Sequence, residues 1–284
     1  MKHGWRTVAI ILLASIVAAS PAAADSLDDL ARDFWRWRAV RQPLSHDDIP
    51  RIERPAGWMP DWSRATVEGS RKDLEAFEAR WKAINPAASP VSRQVDYRLI
   101  GSALARARWE LDITRGWRRN PNFYIQQTIG GLFDLLLQPP PFDQTRSAAL
   151  AVRMANIPRI VQQAQENLDE AVRPFATLAV AELANVRERL ATVSREAAPL
   201  LAQPDRAQWS SATEPAIAAL ESLREWLKGR LTSMSPDTAV GRENYLYFLT
   251  HVALVPFTPE ELLAMGRQEW ERAVAFESYE IQRN

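Results

Sequence analysis

Apolar residues recur at spacings of three and four along nearly the whole of this chain, and no stretch alternates apolar with polar. The first spacing lines one face of a helix, whereas alternation would line one face of a strand. In "WSRATVEGSRKDLEAFEARWKAI" the stripe is Leu74, Phe77, Trp81 and Ile84. In "VSRQVDYRLIGSALARARWELDITRGW" it is Val95, Leu99, Ala103 and Ala107. Helical periodicity continues through "YIQQTIGGLFDLLLQ", through "DQTRSAALAVRMANIPRIVQQAQENL", and over residues 173–202, 211–233 and 242–255. Proline marks the breaks, in the connector "PLSHDDIPRIERPAGWMP", in "NPAASP" and in the triple proline at 139–141. Pro158 predicts either two short helices or one kinked helix. With only 10 glycines in 284 residues and no fixed-period repeat, the expected fold is all-α, a multi-helix array. The 11 tryptophans, spread from Trp5 to Trp270, suit packing between long helices better than one binding platform.

Two helix starts are written out in full. "SLDDLARDFWRWRAVRQ" places Ser26 at the N-cap with Asp29 three residues on. "FTPEELLAMGRQEWERAVAFESYEIQRN" places Thr258 at the N-cap, Pro259 at N1 and Glu261 at N3, with Phe257 and Leu262 set to form a hydrophobic staple. Leu263, Trp270 and Val274 follow on one face, and no stop signal precedes Asn284. A helix with that stripe is expected to need a partner surface.

Residues 1–24 read as a signal peptide: basic "MKHGWR", apolar "VAIILLASIVAA", then the small-residue site "SPAAA", with cleavage after Ala24. The expected location is therefore exported and periplasmic, with no membrane partner once the leader is removed. Residues 25–284 are expected to form one helical domain. The chain has no cysteine, so neither a disulfide framework nor a lipid-bearing cysteine is available, and stability must come from burial. Removing Lys2 and Arg6 with the leader leaves 33 basic against 35 acidic residues, a net charge of −2. That balance gives no electrostatic reason to expect nucleic acid.

Short catalytic motifs are missing. The three histidines are His3 in the leader, His46 in the proline-rich connector and His251. "HVALV" around His251 lacks the glutamate and second histidine of H-E-x-x-H, so His251 reads as a packing residue on an apolar helix. "SHDD" around His46 reads as a loop or cap. There is no G-x-S-x-G elbow. Gly130 and Gly131 lie inside a helical pattern, where close helix packing explains them. Asp28, Asp29, Glu260 and Glu261 sit in helix first turns, where they complement the dipole. No catalytic, metal or cofactor residue is assigned.

Two longer stretches carry a resemblance. "WRRNPNFYIQQTIGGLFDLLLQPPPFDQTRSAALAVRMANIPRIVQQAQENL" resembles the central signature of the bacterial domain-of-unknown-function 885 family, through Asn120, Pro121, Tyr124, Arg153, Ile157, Pro158, Asn167 and Leu168. "VGRENYLYFLTHVALVPFTPEELLAMGRQEWER" is similar to its following block, through Gly241, Glu243, Tyr245, Leu249, Thr258, Glu260, Glu261, Gly266 and Glu269. The ordered set, rather than any one element, is specific. The resemblance implies a helical, zincin-like fold of the zinc carboxypeptidase kind, whose H-E-x-x-H helix belongs to a later part of the family's chain. It also implies that this chain is the N-terminal portion, a scaffold and cleft wall that is not catalytic alone, with zinc only in a complete member. Its expected partners are the C-terminal catalytic half, or a second copy through the last helix, and a peptide ligand. The alternative is a stand-alone periplasmic helical binding or interaction module.

Overall fold

A computed structural model of the chain describes residues 26–45, 53–137 and 139–283. The segment read as a signal peptide with its expected cleavage site, His46 and the two aspartates beside it lie outside the described residues. The fold is all-α. Among the described residues no strand forms, and the one β feature is an isolated parallel bridge between Val172 and Ser235.

The N-terminal helices form where their caps are written. Helix α1 (Leu27–Arg41) starts at Ser26, whose hydroxyl accepts from the Asp29 N–H, and buries Leu27, Leu30, Phe34 and Arg38. Helix α2 (Arg64–Ala83) is capped by Ser63 and lies alongside α3 (Val91–Arg108). A π-helical turn, Trp109–Thr114, prolongs α3 until Arg115 adopts a left-handed conformation at φ 48°. Short helices α4 (Gly116–Arg119), α5 (Pro121–Ile125) and α6 (Gly131–Leu136) then step inward, α5 carrying Asn120 as cap and Pro121 at its start.

The centre is α7 (Gln144–Asn167), a single helix of 24 residues with Pro158 inside it, and α10 (Gln203–Lys228) packs along it. Ile157, Ile160 and Val161 around that proline are buried, so packing holds the helix together where a backbone donor is missing. Between them run α8 (Arg173–Glu182) and α9 (Val186–Ala197). The periodicity of residues 173–202 predicts one long helix, but the chain breaks at residues 183–185. Arg224 of α10 donates to the freed Ala184 carbonyl at 2.7 Å, and Leu183 is fully buried. Buried side chains from Leu27 to Met234 form one connected core. After it come α11 (Arg242–Tyr247), a π-helical turn at Phe248–Val252, and α12 (Pro259–Arg283).

The stripe expected on α3 is corrected. Val95 and Leu99 are about half exposed, at 47% and 55%, while Ile100, Leu104, Ala107 and Leu111 are buried. Steps of four residues overshoot the helical turn by about 40° each, so Val95 and Ala107 lie about 120° apart. The buried set steps by four, three and four and therefore holds one face. The segment that leads from the connector into α2 is anchored in the core. Trp62 is buried, its N–H donates to Gln163 Oε1 at 2.9 Å, and its carbonyl accepts from Asn167 at 2.6 Å.

Candidate functional site

The residues of the central signature meet inside the fold rather than at a surface. Tyr124 is fully buried; its hydroxyl donates to the Trp117 carbonyl at 2.6 Å and accepts from Asn167 Nδ2 at 2.9 Å. Asn167 also holds Trp62, so this one network ties α4, α5, α7 and the segment leading into α2 together. Arg153 Nη1 donates to the Gly131 carbonyl at 2.5 Å. Ile157 and Leu168 are core. Burial pushes the Tyr124 phenol far above its usual range, with the Asn167 hydrogen bond opposing. A phenol so enclosed has no route to a ligand. These residues hold the scaffold.

Among the described residues, a surface cleft of about 890 Å³ lies between α2, α3 and residues 247–256. One wall is aromatic. Trp81 and Tyr97 stack with centroids 4.7 Å apart and planes 18° apart, and Trp81 Nε1 donates to the Tyr97 carbonyl at 3.0 Å. Gly101 permits this, because a Cβ there would lie 2.5 Å from Trp81 Cζ2. The opposite wall is held by the π-turn: Ser102 Oγ donates to the Val252 carbonyl at 2.7 Å, and Phe248 packs on Trp109 with centroids 5.1 Å apart. Leu254 then takes φ 52°, turning residues 254–256 over the cleft.

The electrostatics are lopsided. Arg108 is bound to Glu78 at 2.8 and 3.1 Å and to Asp112 at 2.7 Å, and the Glu78 hydrogen bond holds its guanidinium protonated above the usual range. Lys82 and Arg98 also line the cleft, are exposed, and make no ion pair among the described residues. Burial raises the phenols of Tyr97 and Tyr247, keeping both neutral near pH 7.

His251 is corrected from a packing residue. It is exposed on the π-turn, lines the cleft and packs its ring against Tyr247 with centroids 4.8 Å apart. The π-turn shifts the register of the helix at this point, so the apolar stripe read from the sequence does not place it. Among the described residues no group of three or more His, Asp or Glu side chains is placed to hold a metal ion. Gly130 and Gly131 meet side chains, Gln126 and Leu44 respectively. The second signature block lies at the surface: Gly241 sits at φ 86°, which its lack of a Cβ permits, and Glu260 pairs with Arg242 at 3.3 Å. Thr258 and Glu261 complete the reciprocal cap, at 2.7 Å from the Thr258 N–H and 3.2 Å from the Glu261 N–H. The sequence reading missed Trp81, Tyr97, Lys82 and Arg98 as one site; the only local cue was Gly101 within a long helix.

Fold and cleft together define an all-helical protein with an open, aromatic-walled cationic cleft. The chain belongs to the family described as bacterial protein of unknown function (DUF885), whose model matches residues 50–277. No curated protein matches it. It is similar to the structure of "a putative lipoprotein of unknown function" from Shewanella oneidensis, at TM-score 0.64 and 16% identity, over 88% of this chain and 46% of that one. This chain thus spans about half the length of that structure. Among the described residues no helix is long and apolar enough to cross a membrane.

Proposed function

We propose that residues 25–284 form the helical scaffold portion of a larger DUF885 architecture, exported by its N-terminal leader, with the α2–α3 cleft as one wall of a ligand site. The observation that carries this reading is α12. It is 25 residues long, buries none of them, and exposes Leu263, Met265, Trp270, Val274, Phe276, Tyr279 and Ile281. Leu263, Trp270, Val274 and Ile281 share one face, and a soluble monomer rarely leaves such a stripe without a partner. The match to about half of a longer structure supports the remainder of such an architecture as the occupant. The hydrolytic, zinc-dependent chemistry implied by the resemblance would reside in that remainder. No step of it is assigned to the residues described above.

The test is hydrogen exchange over residues 258–283 together with light scattering. Alone, the chain is expected to exchange rapidly there or to self-associate. Adding the C-terminal portion of a longer family member in trans is expected to protect the helix. A monomer whose α12 is strongly protected without a partner overturns the scaffold reading and favours a stand-alone binding module.

A further inference from the structure

We infer that the cleft between α2, α3 and residues 247–256 binds a small organic anion with an aromatic body, the ring on the Trp81–Tyr97 wall and the anionic group between Lys82 and Arg98. The inference deepens the reading of this cleft as a ligand wall and rests on it.

Three independent features converge. The aromatic wall is preformed, because Gly101 admits the Trp81 ring and the Trp81 Nε1 hydrogen bond fixes it. A ligand ring meeting it gains contact area without ordering new side chains. Two cationic groups are uncommitted: of the three Lys and Arg side chains lining the cleft, Arg108 is neutralised by Glu78 and Asp112, whereas Lys82 and Arg98 pair with no carboxylate among the described residues. Two unpaired cations beside an aromatic stack therefore set a local bias that the near-neutral whole chain does not have. Finally, the cavity is large enough to enclose such a molecule, and Leu254, Val255 and Pro256 give it an apolar rim. A neutral apolar ligand would leave both cations unused, and a cation would meet like charge.

The experiment uses the whole exported chain and three probes: 3-phenylpropionate, its neutral isostere 3-phenylpropionamide, and acetate. Calorimetry and saturation-transfer NMR are expected to show the acid binding about ten-fold more tightly than the amide, the gain of one charge-assisted contact, and acetate weakest of all. In the K82Q/R98Q double variant the acid and amide should bind equally. Both positions are exposed, so folding is preserved, and circular dichroism verifies it. W81L should weaken acid and amide together. Equal affinity for acid and amide in the parent chain overturns the inference, as does a preference that survives K82Q/R98Q. Absence of binding by every probe also overturns it. The scaffold reading fails separately, by protection of α12 without a partner, whatever the probes do.

Discussion

Replacing Tyr124 with phenylalanine removes one oxygen from the middle of the fold and leaves the ring in place. The Trp117 carbonyl then loses its donor at 2.6 Å. Within the helix nothing takes over, because the residue four positions on is Pro121, which has no N–H to offer. Asn167 Nδ2 keeps the Trp62 carbonyl but loses its second acceptor, and Asn167 Oδ1 is already without a hydrogen-bond partner. An orphaned buried carbonyl costs about 1–3 kcal/mol, so the variant should lose about 2 kcal/mol and about 4–8 °C in Tm. Urea unfolding followed by Trp fluorescence measures the loss. Tyr247→Phe is the control, since its hydroxyl makes no hydrogen bond among the described residues and its removal should cost under about 0.5 kcal/mol. A pH arm adds a sign. Burial raises the folded-state pKa of Tyr124, so above the unfolded pKa of about 10 the unfolded chain releases a proton that the folded one retains. Stability should therefore fall as pH rises above about 10, by up to about 1.4 kcal/mol per pH unit from this group, and Tyr124→Phe should flatten that slope. A loss under about 0.5 kcal/mol with an unchanged alkaline slope would refute the view that this network holds the scaffold.

Gly101→Ala gains helix propensity but drives a Cβ to 2.5 Å from Trp81 Cζ2, so a net loss of about 1 kcal/mol and a changed near-UV dichroism are expected. Asp61 has its pKa lowered: burial opposes ionisation, but hydrogen bonds from Thr66, Ser63 and Gln163 outweigh it. Its contribution is present above the unfolded carboxyl pKa and is lost as pH falls through the lower folded value, so Asp61→Asn should narrow the difference in stability between pH 6 and pH 3, measured by urea titration. If the proposed leader is cleaved, N-terminal sequencing of the protein from its source cells should begin at Asp25 or within a few residues of it, and an intact Met1 recovered from membranes would contradict that proposal. Trp270→Ser should lower the self-association of the isolated chain seen by light scattering, since it removes the most exposed tryptophan of the α12 face.

The helices themselves are legible in the sequence because caps and prolines act locally. Ser26, Ser63, Asn120 and Asp143 each accept a backbone N–H where a helix begins, and each is a residue type whose short side chain reaches that donor. The break at residues 183–185 is not legible, because it depends on Arg224 arriving from a helix about forty residues away. The cleft is illegible for the same reason. Trp81 and Tyr97 belong to different helices, Lys82 and Arg98 read as ordinary solvated charges, and only the close approach at Gly101 brings them together. His251 is misplaced by a π-turn, which adds one residue to a repeat and leaves no mark in composition.

Two apolar stripes remain outside the core: Val91, Val95 and Leu99 on α3, and the whole face of α12. Periodicity reports that a helix has an apolar face, and it does not report what covers that face. On α3 the competition is internal, since the helix offers two stripes and the one continuous with Leu111 joins the core. On α12 there is no such competition. Its reciprocal Thr258–Glu261 cap satisfies the first turn, yet none of its side chains is buried in this chain. A helix so well started is stable locally at its N-terminus and unsupported along its length, since most helical stability in proteins comes from packing of the apolar face. On the proposed reading, a covering surface would supply the larger share. Burying Leu263, Trp270 and Val274 alone would be worth about 5 kcal/mol, so on the proposed scaffold reading docking of this helix would be a main determinant of how firmly a partner surface is held.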